Sequence, residues 1–247
     1  MIKQPNEIAN IDKKIRMIIA GPPGIGKTSL GLSAPKPLLI DTYRGLDRVA
    51  APYRTPFIQP ESYEELKNDL QPENLKDFET LVFDTGGQTL KLMGEWAKKQ
   101  KGGGQSDGTL TQKGYGIIGR EFENLMNYAY YELKKNIIVI FHAKEVQEGD
   151  IIKLRLLVEG MTKDNVWQPM DLGGFIEMQG NKRVIEFENN ERHYGKCCHG
   201  IESRIEIPKL KIGEPNDMLT KIFEQANENI KKAVEIYEVD LLCQEKK

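Results

Sequence analysis

The sequence predicts an α/β fold with a mostly parallel central sheet, an antiparallel C-terminal strand extension and a C-terminal helix. Short apolar runs alternate with segments of helical spacing, which is the pattern of strands joined by crossover helices. The run 137–141 is apolar throughout, as in a strand buried on both faces of a parallel sheet. Two later segments flank Gly180 and Asn181, a pair that favours a tight hairpin and therefore antiparallel pairing.

Eight strands are predicted in order along the chain. They cover residues 15–20, 38–40, 57–58, 81–83, 137–141, 172–178, 183–187 and 203–207. The runs 38–40 and 81–83 each end at an aspartate, and the run 203–207 is closed by a proline, which cannot continue a strand ladder.

Helices are predicted between these strands. Ser62 is expected to cap one helix, with Glu65 as its capping-box partner. Further helices are predicted over 89–98, over 115–135 and from Asn216 onward. The glycine-rich tract 101–108 predicts a flexible loop.

This pattern shows no internal repeat and no clear linker. It predicts a polar N-terminal segment over 1–13, one α/β domain over 14–212, and a C-terminal helix and tail over 213–247. A chain of 247 residues is long enough for one large α/β domain.

Composition and charge narrow the class further. Hydrophobic residues make up 39% of the chain and charged residues 29%, and no apolar run is long enough to span a bilayer, so no membrane partner is expected. The cysteines include the adjacent pair Cys197 and Cys198, a poor disulfide framework, and this favours a cytoplasmic location. With a net charge of −2, any contact with nucleic acid must come from local patches or from assembly.

The segment from Gly21 to Thr28 reads GPPGIGKT and fits a phosphate-binding loop at every required position. Its glycines let backbone amides face a β-phosphate, and the helix that follows contributes its positive end. Lys27 places a cation at the β- and γ-phosphates, and the Thr28 hydroxyl can ligate Mg²⁺. The sequence therefore predicts binding of a nucleoside triphosphate, ATP, together with Mg²⁺. The predicted nucleotide contacts are Gly21, Pro22, Pro23, Gly24, Ile25, Gly26, Lys27, Thr28 and Ser29.

Asp84 is the predicted second half of this site. It follows the apolar run 81–83, and a carboxylate at the end of a strand beside the phosphate loop can hold Mg²⁺ through water. Thr28 and Asp84 are therefore the predicted metal residues. In RecA and AAA-type ATPases a strand separates these two elements in the sheet, whereas simple kinases place them side by side.

The glutamate that usually orients the attacking water is missing from both expected places. AAA-type enzymes place it directly after the metal-binding aspartate, where this chain has Thr85. RecA-like enzymes commonly place it at the end of the second strand, where this chain has Asp41, Thr42 and Tyr43. His142 follows the run 137–141, and it either senses the γ-phosphate or helps to orient water, or lies in a surface turn.

Taken together, these motifs resemble the phage-type RecA-like ATPases, short proteins with a minimal RecA core. The resemblance runs from about residue 14 to residue 212. It rests on the order of GPPGIGKT, PKPLLID ending at Asp41, LVFDT containing Asp84, KGYG from Lys113, VIFHAK containing His142, and DLGGFIE from Asp171.

This resemblance implies a RecA-like P-loop NTPase core and a role in homologous recombination in a bacterial host cell, by annealing or by strand exchange. It implies single-stranded DNA as a partner and ATP-dependent assembly into a filament or ring, with a single-strand-binding protein as a further candidate partner. The catalytic residues expected on this basis are Lys27, Asp84, His142 and Asp41. Tyr43 stands where many relatives have an acidic residue, so slow hydrolysis is expected.

The family's two mobile DNA-binding loops correspond here to about 98–114 and 146–168. Flexible cations suit backbone-phosphate contacts, although a solvated lysine-rich loop would look the same in sequence. The candidate DNA contacts are Lys98, Lys99, Lys101, Lys113, Lys153 and Arg155, and Trp167 could stack on a base or pack in the core. Lys196 and Arg192 are the candidates for a cation that reaches the γ-phosphate of a neighbouring subunit.

Two other functions and one candidate metal site remain open from the sequence. An ATPase that loads or remodels a protein partner in replication, such as a helicase loader, is the main alternative, and Thr85 after Asp84 counts against it. A small-molecule kinase is a second. A zinc site is suggested by His193, Cys197, Cys198 and His199. Adjacent cysteines rarely bind one tetrahedral ion, which disfavours it.

Overall fold

The computed structural model describes residues 13–158 and 166–244. The predicted N-terminal segment, apart from Lys13, lies outside the described residues, as do residues 159–165 of the second predicted DNA loop and the last three residues of the tail.

A central sheet of ten strands organises the described residues. The strands are β1 (Arg16–Gly21), β2 (Pro37–Asp41), β3 (Phe57–Ile58), β4 (Thr80–Asp84), β5 (Asn136–Glu148), β6 (Ile151–Leu156), β7 (Leu172–Gln179), β8 (Lys182–Glu186), β9 (Lys196–Cys197) and β10 (Arg204–Ile207). Their order is β10-β8-β7-β1-β5-β4-β2-β3, with β6 paired to β5 and β9 paired to β7.

Pairing within the sheet divides it into two parts. β7, β1, β5, β4, β2 and β3 are mutually parallel. β8, β10, β9 and β6 pair antiparallel with their neighbours. The predicted α/β class, with a mostly parallel sheet and an antiparallel extension, is therefore confirmed.

The helices cover both faces of the sheet. They are α1 (Lys27–Gly31), α2 (Tyr63–Asp69), α3 (Gly86–Lys98), α4 (Gln112–Asn127) and the C-terminal helix α5 (Met218–Gln244). Alternate residues of β5 enter opposite clusters: Ile137, Val139 and Phe141 pack with α2, α3 and α4, whereas Ile138 and Ile140 pack with α1 and α5. This burial on both faces explains why β5 lacks polar residues over this stretch.

β5 lies between β1 and β4, so one strand separates the two halves of the predicted nucleotide site. The register pairs Gly21 with His142 and Asp84 with Ile140. Because these strands are parallel, their carboxyl ends meet at one edge of the sheet. β2, which lies between β1 and β4 in sequence, is on the far side of β4 and pairs Asp41 with Asp84.

β5 is longer than the sequence predicts. It continues through Glu148 and forms a hairpin with β6, where a loop is expected. Leu154 and Leu156 are buried, while Lys153 and Arg155, which alternate with them, are more exposed. This alternation has the period of two that is typical of a half-buried strand. The charged residues in the segment favour the prediction of a loop instead.

The glycine-rich tract, expected to be a flexible loop or a disordered tip, contains defined turns and backbone contacts. Gly104 forms a bridge with Leu110, and the Thr111 hydroxyl donates to the Gly102 carbonyl at 2.7 Å. The Gly103 carbonyl accepts from the Thr111 backbone amide at 2.9 Å. The tract therefore needs its glycines for close packing of backbone, and α4 begins at Gln112, three residues earlier than predicted.

No helix among residues 13–158 and 166–244 combines the length and apolar character that crossing a bilayer requires.

Gly114→Ala should lower the free energy of unfolding by about 1–3 kcal/mol. A methyl group there would collide with the Gly103 carbonyl oxygen and force the tract away from α4. Gly116→Ala in the same helix is the matched control, since nothing lies within 4 Å of the added carbon. That control should be neutral or stabilising by up to about 1 kcal/mol. Urea unfolding measures both, and equal stabilities for the two variants would contradict the packing described.

Candidate functional site

The loop between β1 and α1 has the backbone conformation of a phosphate cradle. Gly24 and Gly26 have φ angles of 75° and 95°, in the left-handed region that other residues rarely adopt. Gly26 precedes α1 directly, and its carbonyl accepts from the Leu30 amide at 3.0 Å. α1 has five residues, so the cradle consists of local amides rather than a long helix end.

Lys27 lies inside this loop. Its Nζ donates to the Pro22 carbonyl at 2.7 Å and is largely buried. Burial lowers the pKa of Lys27 to about 8, although the nearby Asp84 carboxylate acts in the opposite direction. The ammonium therefore lacks a full set of anionic partners, and the phosphates of a bound nucleotide would supply them.

Thr28 and Asp84 meet across the gap between β1 and β4. The Thr28 hydroxyl donates to Asp84 Oδ2 at 2.6 Å. Burial raises the pKa of Asp84, and the Thr28 hydrogen bond partly offsets this effect. The Thr42 hydroxyl donates to the Asp84 carbonyl at 3.1 Å and helps to fix the strand end.

These residues fit Mg²⁺. A hydroxyl and a carboxylate are hard oxygen donors, and Mg²⁺ at nucleotide sites usually takes one or two protein ligands plus phosphates and water. Thr28 and Asp84 would hold the ion, which would neutralise phosphate charge when bound. Among the described residues no group of three or more His, Cys, Asp or Glu side chains could bind a metal alone.

His142 is at the end of β5's buried portion, beside Gly21 in register. Its Nδ1 is buried and has no hydrogen-bond partner among the described residues. Burial lowers the pKa of His142, and the charges of Lys27 and Arg48 lower it further, which favours the neutral ring. A neutral imidazole with a free nitrogen can hydrogen-bond to a water molecule or a phosphate oxygen.

Asp41 is held by the turn that follows β2. Its carboxylate accepts from the amides of Gly45 at 2.8 Å and Leu46 at 3.2 Å, and from Gln59 Nε2 at 3.1 Å. It is 1% exposed. In this arrangement Asp41 stabilises a turn, and the catalytic role predicted for it remains a prediction.

Tyr43 faces the opening instead. It is 50% exposed, and its ring is 5.8 Å from the His142 ring in an edge-on arrangement. Both side chains line a cleft of about 670 Å³ that extends along α3 to the glycine-rich tract. Thr85 also lines this cleft, but it is buried and its hydroxyl accepts from the Gln88 amide as the cap of α3.

The candidate DNA-contacting cations differ in their pairing. Lys98 pairs with Glu95 at 2.7 Å. Lys153 and Arg155 both pair with Glu148, at 2.8 and 2.9 Å. Within the described ranges no carboxylate pairs with the other three candidates, which are Lys99, Lys101 and Lys113.

Both candidates for a cation acting on a neighbouring subunit have local partners. Arg192 pairs with Glu177 at 3.3 Å, and the Lys196 ammonium donates to the Gln168 carbonyl at 3.1 Å. Contacts with a second subunit remain a prediction for both residues.

A groove of about 800 Å³ lies on the exposed side of the β5–β6 hairpin. Trp167 and Tyr194 pack edge to face there, with ring centres 4.9 Å apart. The groove's other lining residues include the cations Lys144, Arg155 and Lys196. Sequence reasoning missed Lys144 and Tyr194; the fold brings Lys144 on β5 together with Tyr194, which precedes β9.

Arg183 is the other residue that sequence reasoning missed. It lies on β8, yet its guanidinium donates to the carbonyls of Ile25 at 3.4 Å and Pro208 at 2.8 Å. It therefore touches the phosphate loop from 158 residues away in sequence. No motif signals this contact, which depends on the antiparallel pairing of β7, β8 and β10.

The residues considered for zinc have separate environments. His193 is buried and stacks on Phe175 at 5.0 Å. Cys197 Sγ donates to the Ile201 carbonyl at 3.2 Å.

Comparison with known proteins gives a family and similar solved structures. A family model described as "AAA domain" matches residues 13–198. No curated protein matches the chain. Among solved structures, the crystal structure of the RadB recombinase matches with a TM-score of 0.41 and 17% identity, over 73% of this chain and 84% of that chain.

Lys27→Ala should abolish binding of Mg·ATP in the micromolar to millimolar range, since it removes the cation that the loop presents to the phosphates. Isothermal titration calorimetry measures this loss. Lys101→Ala, an exposed lysine outside the loop, is the control and should bind as the native chain does. Undiminished binding and turnover in Lys27→Ala would show that this loop is not the nucleotide site.

Proposed function

The chain belongs to the AAA domain family, and from that premise we propose that it is an ATP-dependent DNA recombination protein with a RecA-like core, of phage or prophage type. In this proposal it binds single-stranded DNA in the bacterial host cytoplasm and promotes annealing or strand exchange. ATP with Mg²⁺ lies between neighbouring subunits of a filament or ring, and its hydrolysis is slow.

The observation that carries the DNA role is the groove beside the β5–β6 hairpin. Proteins that bind single strands combine aromatic rings, on which bases stack, with cations that follow the backbone. Tyr194 supplies a ring that is 46% exposed, and Trp167, which itself stacks on Phe175, supports it edge to face. Lys144 and Lys196 supply the charge, whereas Arg155 pairs with Glu148, which also lines the groove.

The groove also lies close to the nucleotide site. β5 carries His142 at the nucleotide end and Lys144 in the groove, two residues further along the same strand. Binding of DNA and binding of ATP are therefore expected to influence each other. The cleft at Tyr43 and His142 leads to the glycine-rich tract, where Lys99, Lys101 and Lys113 provide a second set of candidate backbone contacts.

The second candidate function is an ATPase that loads or remodels a protein partner in DNA replication. The AAA domain family accords with this function as well as with the first. Thr85, in the place of the glutamate of AAA-type motors, counts against it, because its hydroxyl caps α3 and carries no charge. Binding to single-stranded DNA without any protein partner separates the two functions.

The native chain should retard a labelled single-stranded oligonucleotide in a gel-shift assay, more strongly with Mg·ATP than without it. Tyr194→Ala and Lys144→Ala should each weaken binding about tenfold, because one loses a stacking surface and the other a phosphate contact. Lys76→Ala is the control. Lys76 is exposed and precedes β4, so it lies near the amino-terminal ends of the parallel strands, away from their carboxyl ends. Absence of binding both with and without ATP would reject the DNA role.

Slow hydrolysis follows from the side chains that line the cleft. Among the described residues at its nucleotide end, Tyr43 and His142 face the cleft, whereas the Asp41 carboxylate is bonded to backbone amides. A general base in this place contributes about 10²–10⁴-fold to a rate.

Tyr43→Glu should raise ATP turnover by about tenfold, which is less than a well-placed general base contributes. The reason is that the introduced carboxylate would face water beside His142. Phosphate release, with and without single-stranded DNA, measures the change. Tyr43→Gln is the control, since it removes the ring without adding a base, and it should stay at the native rate. Equal rates for the Glu and Gln variants would show that a missing carboxylate at residue 43 does not limit hydrolysis.

A further inference from the structure

The antiparallel extension reaches the phosphate loop on the side away from the metal residues. Asp84 and His142 belong to β4 and β5, on one side of β1. β7, β8 and β10 continue the sheet on the other side. A triphosphate with its γ-phosphate beside Asp84 and its β-phosphate in the loop after β1 extends its nucleoside away from Asp84, which is the side of β8, β10 and Arg183.

Arg183 contacts the loop closely and has no charged partner. Its guanidinium leaves no room for a side chain at Gly26, so the two groups are in direct contact. Both of its hydrogen bonds go to backbone carbonyls, those of Ile25 and Pro208. Within residues 13–158 and 166–244 no carboxylate pairs with it. A half-buried guanidinium with only neutral partners, placed at a nucleotide site, suits an electron-rich ligand.

A small cavity lies beneath this guanidinium. Its apolar wall includes Leu30, Ile207, Pro208 and Met218, and Ser29 borders it on the loop side. The cavity measures about 50 Å³, much less than the several hundred Å³ of a typical ligand pocket. Entry of a base therefore requires the Arg183 side chain to turn away from the Pro208 carbonyl.

The wall opposite Arg183 is the connection between β10 and α5, which has no helix or strand and is largely exposed. One end of it is tied to the loop region, because Asn216 Nδ2 donates to the Ser29 carbonyl at 2.9 Å. The other end is held by Arg183 through Pro208. The middle of the connection is tied by the Tyr53 hydroxyl, which donates to the Lys211 carbonyl. Release of the Arg183–Pro208 hydrogen bond would therefore free the guanidinium while the connection and the sheet stay in place.

We propose that Arg183 is the positioning residue for the nucleoside half of ATP. In the free chain it covers a nucleoside subsite between the phosphate loop and the β10–α5 connection. On binding, the guanidinium leaves Pro208 and stacks on the base, while the apolar wall contacts the opposite face of the ring. Arginine suits this role because its planar group is weakly hydrated and stacks on aromatic faces.

The test compares a ligand that has a nucleoside with one that lacks it. Calorimetry with Mg·ATP and with Mg·tripolyphosphate should show that Arg183→Ala weakens ATP binding about tenfold, and leaves tripolyphosphate binding within about twofold of native. Lys27→Ala should lose both ligands. Lys182→Ala, the exposed neighbour on β8 that pairs with Glu206, is the matched control and should keep both.

A fluorescent base reports stacking directly. The triphosphate of 2-aminopurine riboside, at saturating concentration, should be quenched by the native chain and by Lys182→Ala but remain bright on Arg183→Ala. Arg183→Lys keeps the charge and loses the planar group, so it should unfold at the native temperature and still fail to quench.

The proposal rests on nucleotide binding by the loop and is independent of the DNA role. An equal loss of ATP and tripolyphosphate in Arg183→Ala would mean that Arg183 only supports the loop. Unchanged or tighter ATP binding, or full quenching by Arg183→Lys, would also overturn it. A native chain that binds neither ligand would instead refute the nucleotide site itself.

Discussion

The 2.6 Å hydrogen bond between the Thr28 hydroxyl and the Asp84 carboxylate joins the two halves of the nucleotide site. It exists because β5 lies between β1 and β4 and pairs with both in parallel register. A slip of one residue on either side would turn each side chain to the opposite face of the sheet. The apolar run 137–141 of β5, which is buried on both faces, therefore positions a polar site to which the strand contributes His142 directly after that run.

In the free site, the ionisable side chains are buried without charged partners at close range. Burial lowers the pKa of Lys27 and His142 and raises that of Asp84, so it opposes the charged form of all three. Lys27 is satisfied by a backbone carbonyl and Asp84 by a hydroxyl, rather than by opposite charges at close range. Mg·ATP offers both missing partners at once, because phosphates complement the lysine and the metal complements the carboxylate. Because Lys27 and Asp84 are buried without charged partners at close range, the loop favours binding of Mg·ATP, which supplies both partners.

Much of the fold could be predicted from sequence, because buried parallel strands leave continuous apolar runs and the phosphate loop has fixed spacing. The same rules missed β6, whose alternating pattern is hidden among charges, and they read the glycine-rich tract as flexible when its glycines permit close packing. At the site, sequence could not tell whether Asp41 or Tyr43 faces the cleft, since backbone amides of the following turn decide it. The contact of Arg183 with the loop could not be predicted from sequence, because it depends on strand pairing far along the chain.

β5 is a single strand of 13 residues whose first half is locked into the central sheet and whose second half forms the outer hairpin. Side chains two apart on a strand share a face, so His142 and Lys144 project in the same direction. In the proposed function these two side chains would act on the terminal phosphate and on DNA, and one continuous strand joins them with a single residue between. A shift of the imidazole on loss of that phosphate would therefore reach the ammonium through backbone that is paired to neighbouring strands on both halves of β5.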